Sequence, residues 1–238
     1  MKTGERYFLW MACVLLILNL IGFGPSYFFG QAFDAPPLPL RTHIHGVIFS
    51  AWFVLFLVQT SLIETGKVGH HKKLGILATG LAGAMVISAL TILYFRAREY
   101  NGDTETLVTT ATLIWGNLAL LVAFTTFVTL GFLNRHRPAA HKRLMLMASV
   151  SMMGQALGRM ARIERLRFLD GDMMNEAAYG LGGLLLLLVS LAVHDMRTRG
   201  RIHPVTLWGA PIFMVSIAFI GVFVPQTGFG QALVLLLN

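Results

Sequence analysis

Histidine is the residue here most able to do chemistry, and its spacing repeats. His71-Lys72-Lys73-Leu74 returns as His141-Lys142-Arg143-Leu144, each time at the start of an apolar run. His203-Pro204 precedes another apolar run and His194 closes one, while His70 and His136 lie in adjoining polar stretches. A neutral imidazole offers a ring nitrogen to a transition metal or a haem iron. The partial positive charge of a helix N-terminus disfavours imidazolium, and the neighbouring Lys and Arg act in the same sense. His71 and His141, with His194 and His203 in reserve, are therefore candidate cofactor ligands for a b-type haem or a transition metal. The plainer alternative is that Lys, Arg and His mark one basic face held against an anionic leaflet.

A second group reads Arg41-Thr42-His43-Ile44-His45-Gly46. Residues two apart on a helix point in different directions, so His43 and His45 share a metal only if the helix begins after them. Thr42 as an N-cap would instead put both in the first turn, where contact with headgroups or backbone is the competing role. Gly46 lets another helix or a flat ligand come close. Further along, Gln155 precedes Arg159 by one helical turn. An intramembrane Arg is costly enough to mark a functional position, although its long side chain can also snorkel to the interface. Arg41, Gln155 and Arg159, with His43 and His45, define an expected polar cavity at the outer membrane face, fit for an anion, a quinone headgroup or a haem propionate.

Other patterns are structural. Met145, Met147, Met152, Met153 and Met160 spread around a helix and read as gap-filling packing, not a copper site. Gly75, Gly80 and Gly83, like Gly180, Gly182 and Gly183, read as close-packing positions. The single Cys13 excludes an internal disulfide. The sequence has no phosphate loop, zinc or iron–sulfur cysteine pair, serine-nucleophile motif or HExxH. The last long apolar run lacks the Lys that a retinal Schiff base requires.

These residues must be positioned by membrane helices. Of 238 residues, 55% are hydrophobic and 13% charged, with mean hydropathy +0.68, whereas about a quarter of a soluble domain is charged. Apolar runs bounded by charge predict an all-α, polytopic bundle forming one integral membrane domain over 1–238. Its seven helices are expected at about 7–29, 43–65, 74–95, 106–133, 142–160, 177–194 and 205–225. The first run continues through Gly24-Pro25-Ser26 without a small-x-small cleavage site and reads as a retained helix. The fifth is short: its 15 uncharged residues from Leu144 to Gly158 span about 22 Å, against a hydrocarbon core of about 30 Å. The stretch from Arg159 to Glu176 reads as a helical extension ending near Asp170-Gly171-Asp172. After Pro225 the apolar run Ala232 to Leu237 is too short to cross and is expected against the bundle or in the interface.

The net charge of +8 sits between apolar runs and so speaks of orientation, not of nucleic acid. Counted over alternate loops, 12 of the 19 basic residues fall with Lys2 and Arg6, which predicts a cytoplasmic N-terminus and, with seven crossings, an outer C-terminus.

The sequence resembles a group of uncharacterised bacterial seven-helix inner-membrane proteins. The resemblance rests on His43-Ile44-His45-Gly46 with Ala51-Trp52-Phe53 and Gln59, on His71-Lys72-Lys73-Leu74-Gly75, on Pro138-Ala139-Ala140-His141-Lys142-Arg143-Leu144-Met145, and on Arg197-Thr198-Arg199-Gly200-Arg201-Ile202-His203-Pro204. It extends to about Gly209 and implies a multi-pass fold in the bacterial inner membrane, without an activity. A looser similarity, to transmembrane b-type cytochromes of the ferric-reductase kind, implies His71 and His141 as one haem pair. The fourth helix has no histidine to partner His45, so a two-haem path is not implied.

The leading expectation is a haem- or metal-binding redox protein or a subunit of a membrane redox complex. Beside it stand a non-enzymatic accessory or assembly subunit with partner subunits, and a small-molecule carrier or metal-dependent hydrolase using the outer cavity. The sequence alone does not decide whether it is an enzyme.

Overall fold

The computed structural model describes residues 3–34, 36–163 and 173–238, and among them every regular element is helical. In chain order these are α1 (Thr3–Phe23), α2 (Leu40–Glu64), α3 (Val68–Arg98), α4 (Thr104–Leu133), α5 (Pro138–Ser151), α6 (Gly154–Met160), α7 (Met173–Arg199), α8 (Pro204–Ala218) and α9 (Gly228–Leu237). Six segments are long and apolar enough to cross a membrane: Arg6–Phe28, Leu40–Glu64, Val68–Arg98, Thr106–Leu133, Glu176–Arg199 and Pro204–Gln226. Their outward apolar side chains, among them Ile76, Leu77, Ile87, Leu186 and Ile212, are largely exposed, as lipid-facing positions are in a bundle whose solvent is hydrocarbon.

The expected fifth helix, 142–160, is not one helix. It breaks at Met152-Met153 into α5 and α6, neither of membrane length, and α6 stops at Met160. These two helices run through the middle of the bundle. Leu146, Met147, Ala148, Val150, Met153 and Ala156 are each at most 1% exposed. Because protein rather than lipid surrounds it, this segment escapes the length rule that flagged it as short. Glycines allow the enclosure. A Cβ on Gly22 of α1 would lie 2.3 Å from the Ala156 carbonyl oxygen, and one on Gly158 would lie 2.9 Å from that of Glu176. Gly180 and Gly183 are likewise packed closely, but Gly80, Gly83 and Gly182 face open space and are not close-packing positions. The expected extension toward Asp170-Gly171-Asp172 falls mainly on 164–172, outside the described residues.

Two π-turns end long helices near prolines. After α1 the chain widens over Gly24–Phe28, where the Phe29 amide reaches the Gly24 carbonyl at 2.8 Å, because Pro25 has no N–H to continue the ladder. The second, Phe219–Phe223, follows α8 and precedes Pro225. Beyond it α9 folds back on α3 and α4, burying Val234 beside Ala97, Leu107, Ala111 and Ile114, while Trp115 Nε1 donates to the Gly230 carbonyl at 2.8 Å.

Side-chain contacts define two bundle ends. At one, Arg6 meets Glu64 at 3.4 Å, His71 meets His141, Tyr7 meets His194, and Arg143 meets Asp195. At the other, Tyr27 reaches the His43 carbonyl, Arg41 reaches Glu99, and Arg159 reaches Ser26.

Candidate functional site

The echoed motifs bring α3 and α5 together at the first end. The His71 and His141 rings stand 6.2 Å apart, centroid to centroid, with planes at 86°. Their hydrogen bonds set their tautomers. His141 Nδ1 lies 2.8 Å from the Gly131 carbonyl, which can only accept, so Nδ1 carries the proton and neutral His141 keeps a lone pair on Nε2. Gln59 of α2, with its amide nitrogen toward His71, donates to His71 Nδ1 at 2.7 Å and to the His71 carbonyl at 3.2 Å, and its oxygen accepts from the Gly75 amide at 3.0 Å. Neutral His71 therefore carries its proton on Nε2. The pair offers one N–H donor and one nitrogen acceptor.

The faces that carry Gln59 and His71 also line an apolar groove. It holds about 840 Å³, opens to the side, and is walled by Val47, Ala51, Leu55 and Val58 of α2, Leu74 and Leu81 of α3, and Tyr27 and Phe28 of the first π-turn. Leu55 lies one turn before Gln59, and Leu74 one turn after His71, so the histidine pair stands beyond the groove's inner end. From Val47 to Val58 the helix rises about 16 Å.

His194 and His203 do not join this pair. His194 stacks on Tyr7 at 4.0 Å between parallel rings, joining α7 to α1. His203 caps α8, its Nδ1 accepting from the Val205 amide at 3.1 Å, so that lone pair is already used. Burial and the Arg143, Arg199 and Arg201 charges hold its imidazole below the usual range, against the opposing pull of Asp195. Among the described residues no three His, Cys, Asp or Glu side chains gather as a metal site.

Between these histidines lies a charge pair that spacing did not reveal. Arg143 is 2% exposed and Asp195 0%. Arg143 Nε donates to Asp195 Oδ1 at 2.9 Å, its Nη2 donates to the same oxygen, and its Nη1 donates to the Ala139 carbonyl at 2.6 Å. Asp195 Oδ2 accepts from Thr206 Oγ1 at 2.8 Å and the His203 amide at 3.0 Å. Arg143 is thus no free loop charge: it ties α5 to α7 and, through Asp195, to α8.

At the second end the expected residues take different hydrogen-bond partners, although His45 and Arg159 stay within electrostatic reach of one another. The helix begins at Leu40 with Pro39, not Thr42, before it, so His43 and His45 are both helical and diverge. His43 stands by Tyr27 of the π-turn at 5.7 Å, while His45 Nδ1 faces Ser88 Oγ of α3 at 3.3 Å. The space above Gly46 is filled by the Tyr27 ring. Arg41 is held at the end of α3 by Glu99 at 2.5 Å and Phe95 at 4.7 Å. Gln155 and Arg159 remain half-buried on α6. Arg159 lies over the Phe23 ring at 5.0 Å and donates to Ser26 Oγ at 3.3 Å.

Fold and composition define a multi-pass, all-helical membrane protein. No family model, curated protein or solved structure matches the chain.

Proposed function

We propose that this is a protein of the bacterial inner membrane that holds an isoprenoid quinone, the tail in the α2–α3 groove and the headgroup at His71 and His141. The observation that carries the reading is the complementary pair about one helical turn beyond the end of an apolar groove. A quinone oxygen accepts from the His71 Nε2–H, and a quinol hydroxyl donates to the His141 Nε2 lone pair. Ligand sites of this kind are mostly apolar with a few fixed polar groups, and the Gln59 and Gly131 hydrogen bonds fix these two. The remaining crossing, the seventh, is assigned to α5 and α6 together, with the N-terminus and the histidine pair on the cytoplasmic side. The loop charge bias supports that orientation. An organic extract of protein purified in mild detergent should contain about one quinone per chain, and Gln59→Leu or His71→Leu should remove it. A quinone-free wild type that is not stabilised by added ubiquinone or menaquinone defeats the reading.

A second reading keeps the b-type haem. His141 fits it, since a ring Nδ1–H bound to a backbone carbonyl is the usual support of a metal-bound histidine. His71 fits only if Gln59 turns its oxygen toward Nδ1, because an imidazole that is to hold iron through Nε2 needs that nitrogen bare. Haem would supply one-electron chemistry, and these two imidazoles would hold it. An absorbance spectrum separates the readings: a Soret band lost in both His71→Ala and His141→Ala establishes haem, and a colourless protein excludes it. The accessory-subunit alternative predicts instead a stoichiometric partner retained in gentle detergent.

A further inference from the structure

Arg159 is a half-buried charge whose compensation is incomplete among the described residues. Its Nε is shut off from the surroundings and meets no hydrogen-bond partner there. The nearby carboxylate, Glu176, is occupied by Arg162, which contacts both its oxygens, one at 2.8 Å through Nη2. What Arg159 does have is a neutral hydroxyl, Ser26 Oγ, and the face of Phe23. The π-turn after α1 presents that hydroxyl. A half-buried guanidinium whose nearest carboxylate is engaged by another Arg costs free energy until an anion meets it.

We propose that Arg159 and Ser26 bind a phosphate-class anion at this end of the bundle, either a phospholipid headgroup or free phosphate. The two Nη groups of the guanidinium form a planar fork, which matches two oxygens of a phosphate, and anions of this geometry favour Arg over Lys. Ser26 Oγ, which accepts from Arg159 Nη1, can give its own hydroxyl proton to the ligand as a third donor. The site is separate from the quinone reading, standing at the opposite end from His71 and His141, and neither depends on the other.

The test uses the full chain in mild detergent, analysed intact by native mass spectrometry with phosphatidylglycerol vesicle lipid and, separately, inorganic phosphate. The expected result is a one-to-one phosphatidylglycerol adduct that weakens at least tenfold in Arg159→Gln, less in Arg159→Lys and Ser26→Ala, and not at all in Arg41→Gln. Displacement of that adduct by millimolar inorganic phosphate identifies free phosphate as the ligand, and its persistence identifies the lipid. Equal adducts in wild type and Arg159→Gln overturn the proposal. So does a wild type that takes up neither probe. Thermal midpoints for each variant separate lost binding from lost folding.

Discussion

Arg143 and Asp195 are held away from water and are tolerable only as a pair. Every polar atom of the carboxylate is used, by Arg143 on one oxygen and by Thr206 and the His203 amide on the other. Removing one partner leaves the other charged and buried, which costs about 3–5 kcal/mol. Asp195→Ala should therefore lower the thermal midpoint in detergent sharply, whereas the double substitution Arg143→Met with Asp195→Leu should recover most of the loss. A single variant as stable as wild type would remove the pair from the account of stability. His203, beside it, gives a pH dependence. Its folded-state pKa lies below the ordinary 6.5, so between those values the unfolded chain binds the extra proton. The contribution of neutral His203 is complete above about pH 6.5 and is lost as pH falls through the folded value. His203→Asn, which keeps an N-cap acceptor, should flatten that acid limb of the stability profile. The histidine echo was readable because its two copies open helices with the same residues. Arg143 was not, because beside Lys142 it looks like one more loop charge and Asp195 lies 52 positions away.

The α5–α6 segment carries the bundle, and glycines on its neighbours set how closely it is held. At Gly22 a methyl group would meet the backbone of Ala156 at 2.3 Å, and backbone cannot swing aside as a flexible side chain can. Gly22→Ala should cost about 1–3 kcal/mol, the range for overpacking a filled interior. Gly80→Ala and Gly182→Ala meet nothing within 4 Å and should be neutral or slightly stabilising, since Ala is the better helix former. Parallel thermal melts decide between this placement and one in which all six glycines of the two groups pack alike. Apolar runs made the six long helices legible, with ends that differ from the expected ones by up to about six residues. The break at Met152-Met153 left no such trace: it lies in an uncharged stretch without proline, and Ser151 and Gly154 on either side of it are ordinary residues of a membrane helix. The divergence of His43 and His45 was conditional on where their helix starts, a point that Pro36-Pro37-Leu38-Pro39 marks more firmly than Thr42.

For the whole molecule the open quantity is the path of the chain across the bilayer. Charge counting reads every Lys and Arg alike, yet Arg143 is buried against Asp195 and orients nothing by attraction to lipid. Setting it aside still leaves the basic excess on the side of Lys67, Lys72 and Lys73. The contacts add a constraint that charge cannot. His71 touches His141, and Asp195, which holds Arg143, also binds the His203 amide and Thr206. The loops containing Lys67 and Arg201 therefore belong to one end of the bundle. If α5 and α6 together cross, these two loops share a side of the membrane. If they do not, Arg201 is carried to the opposite side. The loop positions Lys67, Asn101 and Arg201 are all exposed and suit thiol labelling in a Cys13→Ser background. An impermeant maleimide applied to intact cells should modify Asn101→Cys and spare both Lys67→Cys and Arg201→Cys, which react only after the membrane is opened. Labelling of Arg201→Cys in intact cells, with Lys67→Cys still protected, would reduce the path to six crossings and separate the Arg201 loop from the side of Lys67, while His71 and His141, joined by α3 and α4, would still share that side.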